Sequence, residues 1–62
     1  MSLVWFKDVQ NGNSVAVNPS HVVAVFTASE GDFEGKTVVG LVNGTIIVEG
    51  ETLEVVTSLN VW

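Results

Sequence analysis

The chain has 62 residues, and its seven Asp and Glu against two Lys, with the one His neutral, give a formal net charge of −5 at pH 7. It contains no cysteine, which excludes disulfides and thiolate metal sites, and its lone imidazole, His21, excludes a zinc site built from several histidines of one chain. Lys7 and Lys36 are too few to replace the counterions condensed on a phosphate backbone, so a nucleic-acid partner is disfavoured on charge.

From the amino terminus, Asn11-Gly12 lies between β-prone residues, and Asn-Gly favours a tight type I′ turn because both central positions need φ > 0. Such a turn predicts a first hairpin over residues 3–17 in which Gln10 faces Asn13 and Phe6 faces Val17. Val4, Phe6, Val15 and Val17 then share one side, while Trp5, Lys7 and Ala16 take the other. Asn18-Pro19-Ser20 breaks the ladder, since proline lacks an N–H and restricts the residue before it. Residues 21–27 read as a third strand through Val22, Val23, Ala24, Val25 and Phe26, and residues 28–35 as a loop.

A second hairpin is expected around Asn43-Gly44, with Val42 facing Thr45, Leu41 facing Ile46 and Val39 facing Val48. It has an aliphatic side of Val39, Leu41, Ile46 and Val48. The opposite side carries Val38, Gly40, Val42, Thr45, Ile47 and Glu49 and is also largely apolar, unlike a sheet with one wet face. After Gly50, residues 51–59 suit a short helix: Glu51 and Glu54 fall in its first turn, where the helix dipole favours them, and Leu53, Val56 and Leu59 recur at helical spacing. Asn60 could close it, leaving Val61-Trp62 as an apolar tail. The expected fold is one mostly β domain over residues 1–62, with about five bent antiparallel strands in a small barrel or curled sheet and a short carboxy-terminal helix.

Hydrophobic residues make up 47% of the chain and the mean hydropathy is +0.47. A domain of this length buries only about 60% of the surface its unfolded chain exposes. Its core supplies about 3–5 kcal/mol of net stability. Some apolar side chains are therefore expected to meet a partner, and self-association is the expected source of further stability. The residues expected at that contact are Trp5, Val38, Val42, Ile47 and Trp62, with Phe6 assigned to the core. There is no basic start before an apolar run, and no apolar run approaches the ~20 residues of a spanning helix, so a cytoplasmic chain without a membrane partner is expected.

Little suggests chemistry. His21 follows Ser20, but adjacent strand residues point to opposite sides, which places the pair poorly for activating a nucleophile. Glu30, Asp32 and Glu34 alternate in a glycine-bearing loop without the ligand order of an EF-hand, and read as a solvated acidic loop. Asn43-Gly44-Thr45 matches a glycosylation acceptor but reads first as a turn. Without cysteine, tyrosine or arginine, few groups remain to converge on a reacting atom, so no catalytic residue, cofactor or metal is expected.

The order of features resembles the small flagellar proteins of the FlbD/SwrD type. The likeness rests on Asn11-Gly12, Val17-Asn18-Pro19, Val22, Val25, Asn43-Gly44, Ile46, Val48 and Glu54-Val55-Val56, and spans most of the chain from Asp8 to Leu59. It implies a flagellar role, with a phage or bacterial accessory protein of the same shape as the other expectation. The pattern of short bent strands is also similar to Sm-like small β-barrels, which implies edge-to-edge association into rings. The arginine-glycine pair and basic rim of their RNA-binding members are missing here. The expected function is thus a non-catalytic, oligomeric structural or interaction module, with an Sm-like RNA-binding ring as the alternative.

Overall fold

The computed structural model describes residues 3–59. Five strands and a helix follow in the order β1 (Val4–Lys7), β2 (Ser14–Val17), a 3₁₀ turn (Pro19–His21), β3 (Val22–Thr27), β4 (Thr37–Leu41), β5 (Gly44–Val48) and α1 (Thr52–Leu59). The protein is mostly β with one short carboxy-terminal helix. Its strands form two curled antiparallel sheets, β1-β2 and β3-β4-β5, rather than a closed barrel. An isolated bridge between Asp8 and Val48 links the sheets. Beside it the Val9 amide donates to the Ile47 carbonyl at 2.9 Å and the Glu49 amide to the Lys7 carbonyl at 3.1 Å.

Both hairpins form, each in a different register from the one the Asn-Gly pairs predict. In the first, Phe6 faces Val15 and Lys7 faces Ser14. The connection is a wider loop, because its polar side chains bind its own backbone. Asp8 Oδ1 accepts from the Gln10 amide at 2.8 Å and Asn11 Oδ1 from the Asn13 amide at 2.9 Å. The Gly12 amide donates back to the Asp8 carbonyl at 2.8 Å. In the second, Leu41 faces Gly44, so Val42-Asn43 forms the turn and Gly44 opens β5. Neither shift moves a residue to the other side of its sheet. Val4, Phe6, Val15 and Val17 still share a side, as do Val39, Leu41, Ile46 and Val48, because a slip that preserves parity preserves the faces.

Gly12 holds the first loop at φ +74°, and a Cβ added there would meet no atom within 4 Å. Gly12→Ala therefore adds only the conformational penalty of a left-handed L-residue, an expected loss of about 1 kcal/mol in urea unfolding.

The third strand starts one step later than the sequence suggests, because His21 belongs to the 3₁₀ turn. Asn18 caps that turn, its Oδ1 accepting from the Ser20 amide at 2.9 Å while its carbonyl accepts from the His21 amide at 2.9 Å. Residues 28–36 are tied across their base by the Ala28 amide on the Lys36 carbonyl at 2.9 Å and the Gly35 amide on the Ala28 carbonyl at 2.9 Å.

The inner sides of the sheets meet α1. Val17, Val39, Val48, Val55 and Leu59 are buried, with Val4, Phe6, Val22, Val25, Leu41 and Ile46 packed around them. Phe6 thus joins the core as expected. The helix begins with Glu54 reaching back to the Glu51 amide at 3.1 Å, half of a capping box. Its buried stripe is Val55 and Leu59, not the expected Leu53-Val56-Leu59, for Leu53 is 66% exposed. The reason is a rotation about the axis: residues four apart share a face, and Val55 is aimed inward where it lies against Gly50. The expected Asn60 cap and Val61-Trp62 tail lie outside the described residues.

Candidate functional site

With the inner side of β3-β4-β5 packed against α1, the outer side of the same sheet has no element packed over it among the described residues. β3, β4 and β5 contain no ionisable residue. All seven carboxylates fall outside these strands, on Asp8, Glu30, Asp32, Glu34, Glu49, Glu51 and Glu54. Across the middle of the face, Phe26 lies opposite Val38, and Val38 opposite Ile47. Phe26 remains 50% exposed. The next row is Ala24, Gly40 and Thr45, in pairs across the same strands.

A bulge shapes this row. The β3-β4 register shifts between Val22 and Ala24. Opposite it, a Cβ built on Gly40 would lie 3.7 Å from Val23 Cγ2 and 3.9 Å from Ala24 Cβ. Val23 and Ala24 therefore both lean over the glycine, which is buried although it sits on the outer side. The extra residue adds Val23, itself largely exposed, to the outer apolar surface.

The residues expected at a contact are thus placed as follows. Val38 and Ile47 are cross-strand partners at the centre of the outer face and are half-buried by their neighbours. Val42 is exposed in the β4-β5 turn at the end of the same strands. Trp5 is 68% exposed on the β1-β2 sheet, opposite Ala16. It is separated from Ile47 by Lys7 and Glu49, whose Nζ and Oε2 are 4.0 Å apart. Both side chains are well solvated, so the pair contributes little, about 0–1 kcal/mol, and marks the polar rim of the face. Trp62 lies outside the described residues.

Sequence reasoning passed over Val23 and Phe26. The alternation of Ala24 and Phe26 with the inward Val25 was a usable signal for Phe26. Val23 carried none, since an ideal strand would have put it on the inner side.

The polar candidates do not converge. His21 is exposed on the 3₁₀ turn beside Ser20. Glu30, Asp32 and Glu34 are exposed in the loop between β3 and β4. Among the described residues no three His, Asp or Glu side chains come together in a group that could hold a metal ion. No pocket forms among them, and no helix among them is long and apolar enough to cross a membrane.

Compared with known proteins, the chain matches no family model, no curated protein and no solved structure.

Proposed function

We propose that the protein is a non-catalytic interaction module that works by associating with further copies of itself. The observation that carries this reading is the outer side of β3-β4-β5, where Val23, Phe26, Val38 and Ile47 form an uncharged apolar surface, with Val42 exposed in the turn at its end, on an otherwise acidic chain. Exposed apolar area of this kind favours association, because burying it releases about 25 cal/mol per Å². Each copy carries a formal charge of −5, so like-charge repulsion opposes assembly, and the charge-free surface is where two copies approach at least cost.

Light scattering on the gel-filtered protein tests this. A species larger than the 6.6 kDa chain is expected at micromolar concentration, growing in population as salt screens the repulsion. A 6.6 kDa species that persists across protein and salt concentrations would overturn it. Retention of single-stranded RNA at moderate salt would point to a nucleic-acid ring instead.

A further inference from the structure

The outer face of β3-β4-β5 has a flat footprint on the order of 250 Å², from strands about 4.8 Å apart rising about 3.3 Å per residue. A stable contact buries about 800 Å² per partner, so stacking this face alone on a second copy is insufficient. The free edge of β3 offers an addition that stacking lacks, directional main-chain hydrogen bonds.

β3 has β4 on one side, and among the described residues no strand pairs with its other edge. The direction of its backbone groups follows from the bonds at its ends. The Val42 amide donates to the His21 carbonyl at 3.0 Å and the Ala28 amide to the Lys36 carbonyl at 2.9 Å. In an antiparallel ladder bonded and non-bonded pairs alternate, so Ala28-Lys36 and Phe26-Val38 are bonded pairs. Val25 and Thr27 therefore aim their N–H and C=O groups away from β4, at the open edge.

Open edges are ordinarily guarded by charges, proline, bulges or very short strands. β3 has six residues, Val22–Thr27, with neither charge nor proline, and its bulge lies at the amino-terminal end, leaving residues 25–27 regular. Of the other outer edges among the described residues, β2 has four residues and runs into Asn18-Pro19, while those of β1 and β5 are joined to each other at residues 7–9 and 47–49. β3 is thus the longest unguarded edge among the described residues, and with no carboxylate of its own it can meet its own copy without setting like charges against each other.

We propose that two copies join by antiparallel pairing of β3 with β3, Val25 of each opposite Thr27 of the other and Phe26 opposite Phe26 on the two-fold axis. In this register the outward-pointing groups of Val25 and Thr27 bond one another, and the two exposed rings form a cross-strand aromatic pair. The bulge at Val23-Ala24 ends the pairing on the amino-terminal side. The two outer faces then lie side by side as one continuous apolar surface, and what is buried at the seam is the strand edges with the two Phe26 rings beside the axis. The pairing is isologous, so it closes as a dimer instead of propagating. It rests on the self-association proposed above and adds to it a strand, a register and an axis.

Because the chain has no cysteine, Phe26→Cys supplies a probe. Directly opposed residues of a non-bonded antiparallel pair have Cα atoms about 4.5 Å apart, within the disulfide range of about 4.4–6.8 Å. Under mild oxidation of the native protein, F26C is expected to form a covalent dimer at least about tenfold faster than T45C, since only the former holds its thiols together. Thr45 is exposed on the same outer face but lies on β5, away from the axis. In parallel, Phe26→Asp is expected to return the protein to a 6.6 kDa species while Thr45→Asp leaves its assembly intact. Larger wild-type species that survive F26D, with F26C no faster than T45C, would overturn the β3 pairing and leave self-association standing. A wild-type protein of 6.6 kDa throughout would overturn self-association itself.

Discussion

Replacing Leu59 by alanine is expected to leave a large fraction of the chain unfolded at room temperature. Leu59 is 2% exposed, and with Val55 it anchors α1 to Val17, Val39 and Val48. Truncating a buried leucine costs about 2–5 kcal/mol, the spread reflecting how far the site can collapse. A single core of this size supplies about 3–5 kcal/mol in all, so one substitution removes most of it. The comparison variant is Leu53→Ala. Leu53 is 66% exposed on the opposite side of the helix, and its loss is expected to stay within about 0.5 kcal/mol. Urea titrations followed by circular dichroism measure both, at more than one protein concentration because self-association would stabilise the fold by mass action. A larger loss for L53A than for L59A would show that α1 docks on the stripe suggested by sequence spacing and not on Val55 and Leu59.

That contrast marks the boundary of what the sequence reveals. Turn residues and alternation locate every strand, and the aliphatic side of Val39, Leu41, Ile46 and Val48 is the inner side of the sheet. Register is another matter. Both hairpins slip without moving any side chain between faces, so a pattern with period two cannot distinguish the registers. What selects the first is local: the Asp8 and Asn11 carboxyl and carboxamide oxygens bind amides within the loop, a competition that the preference of Asn-Gly for tight turns leaves out. The helix has a related ambiguity. Leu53, Val55, Val56 and Leu59 supply two overlapping apolar stripes in one short segment, and only tertiary docking decides between them. The bulge that brings Val23 outward was equally invisible, since Val22-Val23-Ala24-Val25 gives no cue to which residue is the extra one. The candidate surface was therefore legible in Val38 and Ile47, and for Phe26 in the alternation along β3, but not for Val23.

Thr37→Val is expected to cost about 1–2 kcal/mol, nearly all of it from a single hydroxyl. Thr37 is 1% exposed on an otherwise aliphatic side of β4. Its Oγ1 donates to the Gly50 carbonyl at 2.7 Å and lies 3.3 Å from Thr52 Oγ1, which also meets Thr27 Oγ1. Valine has the same shape, so no cavity opens and the loss isolates the hydrogen bonds. Water can partly replace the donor at Gly50, an exposed residue, which keeps the cost toward the lower end for a lost buried partner. The consequence concentrates at the helix. With eight residues, α1 is shorter than the ~12–15 that isolated helices need, so it persists only while both ends are docked. Leu59 fixes the far end through apolar burial. The threonines fix the near end by tying the segment from Gly50 to Thr52 to β3 and β4. Hydrogen exchange on T37V should therefore show the largest loss of protection at the Val55 amide, which donates to the Glu51 carbonyl at 3.0 Å in the first turn. A uniform loss across β3, β4 and β5 would mean that the hydroxyl stabilises the sheet rather than the attachment of the helix.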